Sequence, residues 1–139
     1  MTAEFPLAVH ALVYLLHTNR VTSSQELADN ICTNPARVRK VMAKLHGAGL
    51  IEATRGKGSG YCTLGNKDVS LRTVLEALKE EPIAMNWRSG DIDKECLVSS
   101  GMGAIMDGIY ADLNKGCMTQ LDQVTIGGIN DQIFQEKEQ

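Results

Sequence analysis

Half of the chain's 14 lysines and arginines fall between residues 34 and 67, although the protein as a whole has a formal net charge of −3. They are Arg37, Arg39, Lys40, Lys44, Arg55, Lys57 and Lys67, and Glu52 is the only acid among them. Long cationic side chains gathered this way do no covalent chemistry; they neutralise phosphate oxygens and release the counterions held there. The flanks have the opposite sign. Residues 1–33 sum to −2, residues 34–67 to +6 and residues 68–139 to −7. A polyanion is drawn to the middle of this chain and repelled by its end.

Other reactive residue types are present without a pattern. Cys32, Cys62, Cys96 and Cys117 are scattered, with no CxxC and no zinc-type spacing. A disulfide scaffold is not expected in a chain with 43% hydrophobic residues. His10, His17 and His46 are too dispersed to argue a metal site, although His10 and His17, seven residues apart, share a helix face. No nucleophile is accompanied by a recognisable His and acid, and "GKGSG" lacks the spacing and terminal Lys-Ser/Thr of a phosphate-binding loop. An enzyme is not expected, nor a metal or other cofactor.

The basic residues need elements to present them. Leu7, Ala8, Ala11, Leu12 and Leu15 recur at helical spacing and predict a first helix over 4–18. Ser23 and Glu26 form a capping box that opens a short helix over about 23–31. Asn34 is an N-cap and Pro35 a first helical residue, so a third helix runs over about 35–47 and ends at "GAG". Val38, Val41, Met42 and Leu45 share its inner face; Ala36, Arg39, Lys40, Ala43 and Lys44 point elsewhere. "LIEAT" and "YCTL" predict two strands around the basic, glycine-rich tip "RGKGSG". Three helices followed by such a hairpin predict a winged helix-turn-helix, with the third helix in the major groove and the wing against backbone phosphate.

After the wing, "VSLRTVLEAL" predicts a fourth helix capped by Ser70, and residues 79–95 predict a polar loop. Val98, Met102, Ile105, Ile109, Leu113, Leu121 and Val124 predict one long helix over 97–123. Gly101, Gly103, Gly108 and Gly116 each weaken it by roughly 1 kcal/mol against alanine, so it needs packing, and small residues let a partner helix approach. Thr125 opens a last helix carrying Ile129 and Ile133, and the tail "QEKEQ" is expected to fray. The expected fold class is mainly α with a small β-hairpin wing, as one DNA-binding unit over 1–78, a connecting loop over 79–95 and a dimerisation segment over 96–139. No stretch approaches the roughly 18 apolar residues of a membrane span. The apolar start lacks the basic n-region of a signal peptide, so the expected compartment is the cytoplasm.

Taken in order, "LAVHALVYL", "TSSQELADNICTNPARVRKVMAKLHGAGLIEATRG", "GSGY", "VSLRTVLEAL" and "ECLVSSGMGAIMDGIYADLN" resemble the bacterial winged-helix regulators related to IscR, NsrR and CymR, the Rrf-two type. The likeness covers nearly the whole chain and is nearest the YwnA-like subgroup. It implies a homodimer whose late helices cross, with helix 1 against the other protomer. Paired recognition helices then address a near-palindromic DNA operator, usually to repress. Members that bind an iron–sulfur cluster carry three closely spaced cysteines at the start of the dimerisation helix. Here that region holds only Cys96, so no cluster is expected.

On this reading Ser24, Asn34, Ala36, Arg37, Arg39, Lys40, Lys44, Arg55, Lys57 and Ser59 are the DNA-binding candidates, with Asn34, Ala36 and Lys40 nearest base edges and Arg37 nearer a phosphate. Ser23 or Ser24 either sets a helix N-terminus against phosphate or merely caps it. Met102, Ile105, Ile109 and Leu113 are the dimerisation candidates. Cys96, just ahead of an apolar helix, is the redox-sensing candidate, weighed against a small interface thiol. Cys32 and Cys62 are read chiefly as packing residues, with oxidation reporting as the alternative. Pro82, Met85 and Trp87 either cover the core or line a small-molecule pocket. The alternative functions are a protein-interaction winged helix without specific DNA binding, and a small-molecule or iron–sulfur sensing regulator.

Overall fold

The computed structural model describes residues 1–65 and 67–138. Six helices and one hairpin follow in order: α1 (Glu4–Thr18), α2 (Ser24–Ile31), α3 (Pro35–Gly47), β1 (Ile51–Thr54), β2 (Gly60–Thr63), α4 (Leu71–Ala77), α5 (Leu97–Leu121) and α6 (Ile126–Glu138). The helix ends obey the local chemistry expected of them. The Ser23, Asn34 and Ser70 side chains accept the N–H groups of Glu26, Arg37 and Thr73. α3 ends in a Schellman motif: Gly49 is left-handed at φ 76°, and the Leu50 N–H reaches the Leu45 carbonyl at 3.0 Å. α6 runs as far as Glu138, and Gln139, the end of the "QEKEQ" tail, lies outside the described residues.

The capping box is only half formed. Ser23 Oγ takes the Glu26 N–H at 3.0 Å, but the Glu26 carboxylate turns to Arg20 at 2.6 Å and accepts the Tyr14 hydroxyl at 2.6 Å. A cation and a phenol outcompete the one amide it was expected to cap.

The core is built from one face of each of the first four helices, with Leu12, Leu15, Leu27, Val38, Met42, Leu45 and Leu75 all buried. Ile51 closes it from the wing, and Ile126 reaches it from α6. Residues 67–71 pair with 124–127 through bonds such as Leu71 N–H to Val124 O at 2.8 Å and Ile126 N–H to Val69 O at 2.9 Å. α6, expected to belong with α5, therefore returns to pack on α1.

β1 and β2 pair antiparallel, with Ile51 opposite Thr63 and Thr54 opposite Gly60. Thr22 adds a short third rung by exchanging both hydrogen bonds with Tyr61, at 2.8 and 2.9 Å. This is why residue 60 is glycine. A Cβ there would meet the Thr22 carbonyl oxygen at 2.4 Å. The wing's glycine thus lets the hairpin lie on its own chain, a requirement separate from approach to phosphate.

Candidate nucleic-acid interface

The inner face of α3 is anchored by Val38, Val41, Met42 and Leu45, which leaves Ala36, Arg37, Arg39, Lys40 and Ala43 exposed. Arg39 joins three elements. Its Nη1 lies 3.5 Å from Ser24 Oγ at the start of α2. Burial raises the pKa of Tyr61 at the wing's base, and the nearby Arg39 charge offsets only part of that rise. The α2 N-terminus, the middle of α3 and the root of the wing therefore meet around one guanidinium. Beyond it Arg55, Lys57 and Ser59 are exposed on the tip, which turns at Gly56 and Gly58, φ 89° and 78°.

Several expected residues sit differently. Asn34 Oδ1 is occupied by the Arg37 N–H at 2.9 Å, so the side chain acts first as a cap. Arg37 is exposed, beside Ala3, Pro6 and Thr33. Lys44 is the clearest departure. Its Nζ lies 2.7 Å from Glu4 Oε2, while Lys40 Nζ lies 3.2 Å from Glu4 Oε1. Glu4, in the first turn of α1, holds both lysines, and the Lys44 hydrogen bond draws its carboxyl below the usual carboxylate range. Lys40 remains 69% exposed but Lys44 only 38%. Sequence spacing along α3 could not show a neighbour 40 residues away.

α5 presents a second surface. Ile105, Ile109 and Leu113 are exposed along one line of the helix, with Val98 about two turns before Ile105. The open Cβ positions of Gly101, Gly108 and Gly116 leave that side bare. Met102 differs from the other three dimerisation candidates: it is half-buried under the chain's own 79–95 segment.

The thiols separate by environment. Cys96 is the exposed N-cap residue of α5. The N–H groups of Ser99 and Val98 face its sulfur without a full capping bond and hold its pKa below the ordinary thiol value. Burial and the neighbouring Glu52 carboxylate push the half-buried Cys62 up. Cys32 is exposed rather than packed, at a left-handed φ of 67°.

The sequence matches the model of the Rrf2 family, described as an iron-dependent transcriptional regulator, over residues 1–132. The chain belongs to the Rrf2 family. It is therefore a winged-helix transcriptional regulator and not an enzyme. Three solved structures share the fold. A Lactobacillus plantarum protein named as a transcriptional regulator superposes with a TM-score of 0.81 at 20% identity, covering 99% of this chain and 98% of that one. IscR of T. potens gives 0.69 at 15% identity, covering 96% and 87%. CymR of B. subtilis, the global cysteine regulator, gives 0.67 at 14% identity, covering 94% and 95%. No curated protein sequence matches the chain.

An iron–sulfur cluster needs several protein ligands gathered at one point. Cys96 and Cys117 stand 21 positions apart, about 31 Å along a helix at 1.5 Å per residue. Among the described residues no three His, Cys, Asp or Glu side chains gather where they could hold a metal ion. The side chains around Cys96 do not fit an iron–sulfur cluster. Nor is any described helix long and apolar enough to cross a membrane.

Proposed function

We propose that this Rrf2-type regulator is a homodimeric repressor that reads a near-palindromic DNA operator. Ser24, Ala36, Arg37, Arg39, Lys40, Arg55, Lys57 and Ser59 approach the duplex, and Lys44 reinforces the α3 end through Glu4. The observation that carries this reading is the cluster around Arg39. It ties α2, α3 and the wing into one cationic surface, while the acids lie mostly in the residues after the wing. In this reading residues 1–78 dock, residues 79–95 connect, and α5 pairs two protomers through Ile105, Ile109 and Leu113. Two recognition helices must lie about 34–36 Å apart to meet successive major grooves, so the α5 pairing angle sets affinity. Alanine at Arg39, Lys40 and Arg55 together is the test. Operator affinity should drop at least 100-fold and the salt slope should shrink by roughly 2 to 3, at about 0.9 per lost phosphate contact. Unchanged affinity in a folded protein would refute the surface.

The position of Cys96 favours a second element, a thiol switch. Oxidation at the N-cap would alter the start of α5 and so the spacing of the recognition helices. Operator binding should weaken at least tenfold on mild oxidation and persist in Cys96→Ser; equal loss in both proteins would remove the switch.

A further inference from the structure

The 79–95 segment has no helix or strand, yet it is strapped along α5 at three levels. The Ile83 N–H donates to Asn114 Oδ1 at 2.8 Å, and Asn114 Nδ2 returns a bond to the Ile83 carbonyl at 3.0 Å. Arg88 pairs with Asp107 Oδ2 at 3.0 Å, its guanidinium filling the space where a side chain at residue 103 would be. The Asp91 N–H reaches the Ser99 carbonyl at 3.0 Å, and only glycine fits at residue 90, because a Cβ would lie 2.0 Å from that oxygen.

Between these anchors the strap stands off the helix. It leaves a cavity of about 560 Å³ walled by Met85, Trp87, Met102, Met106 and Tyr110, with the Arg88–Asp107 pair at its side. The volume is that of a small-molecule site. Trp87 is 74% exposed and Met85 57%, so two large apolar side chains beside the cavity face solvent.

We propose that this cavity binds a lipophilic aromatic cation. Indole and phenol faces attract positive charge through their quadrupoles, and methionine sulfurs pack favourably on aromatic rings. Asp107 is 61% exposed, and Arg88 engages only its Oδ2, so the carboxylate has an edge left for a cation. Arg88 and Asp107 balance each other at the cavity, so the sign is set by the free edge of the carboxylate and the wider field. Residues 68–139 carry thirteen acids against six bases, so an anion of the same shape is disfavoured. Occupancy would bear on the strap that runs along α5 from Ser99 to Asn114, a route from a ligand to the surface proposed for pairing.

Trp87 is the chain's only tryptophan, so its fluorescence reports on this cavity alone. The test titrates the unaltered protein, without DNA, with tetraphenylphosphonium and with tetraphenylborate, which match in shape and differ in charge. Saturable quenching by the cation at concentrations at least tenfold below those needed for the anion is expected. Asp107→Asn should abolish most of that preference, and Tyr110→Ala should weaken cation binding severalfold. Equal or reversed preference on the unaltered protein, or no saturable quenching, would overturn the proposal. So would a Trp87 already shielded from acrylamide in the protein as purified, since a second copy would then cover the cavity.

Discussion

The winged-helix region and α5 are both amphipathic, yet they finish differently. In the first, apolar stripes from α1 to α4 close on one another, and Leu15, Leu27, Met42 and Leu45 are sealed from solvent. In the second, the chain's own strap covers one side of α5 while Leu97 and Ile105 stay 85% and 63% exposed. A region that buries its own stripe is stabilised within one chain. A 25-residue helix that carries four glycines and leaves an apolar line open is the element on which the proposed pairing of two chains rests.

Substitutions that act on one region and spare the other test this contrast. The largest effect is expected from Ile109→Asp, which should convert a dimer to a monomer by sedimentation and lower operator affinity at least 100-fold. Its counterpart Leu15→Ala should cost about 2–5 kcal/mol and lower Tm by roughly 10 °C, with no change in protomer mass. Gly60→Ala comes next. Its Cβ must displace the Thr22 backbone, so about 1–3 kcal/mol of stability and about tenfold in DNA affinity should be lost, seen by thermal melting and anisotropy.

Glu4→Gln is expected to act in the opposite direction on DNA. Releasing Lys40 and Lys44 should tighten operator binding severalfold and steepen its salt dependence. The same variant has a pH signature. The Glu4 carboxyl is drawn down in the folded chain, so its contribution is present above the unfolded carboxylate value and lost as pH falls through the folded one. The parent should therefore lose stability on acidification that Glu4→Gln never had. The smallest effect is kinetic. Cys96, whose pKa is lowered, should alkylate several times faster than Cys62, whose pKa is raised, at neutral pH, as counted by mass spectrometry.

The same division explains what was legible in the sequence. Caps and turn residues are local signals, so Ser23, Asn34-Pro35 and Ser70 placed α2, α3 and α4 nearly to the residue. The basic surface was legible because charge and helical period are both read along the chain. What failed was long-range. The Glu4 clamp on Lys44, the Glu26 carboxylate turned to Arg20, and the return of Ile126 to the core each depend on residues distant in sequence or on packing. Periodicity in α5 showed an apolar helix but could not divide it. Met102 turns under the strap, Leu121 packs on the core, and Ile105 and Ile109 face outward. Gly103 read as room for a partner helix; its space is taken by Arg88 of the same chain.

In the proposed complex two copies of this chain, paired through α5, present the Arg39 surface to one DNA site. The most direct test measures affinity and stoichiometry together, on the protein's own upstream DNA and on a scrambled duplex of equal length. Two protomers per duplex and at least a hundredfold preference for the upstream DNA at physiological salt are expected. One protomer per duplex, or equal affinity for the scrambled sequence, would contradict the proposal.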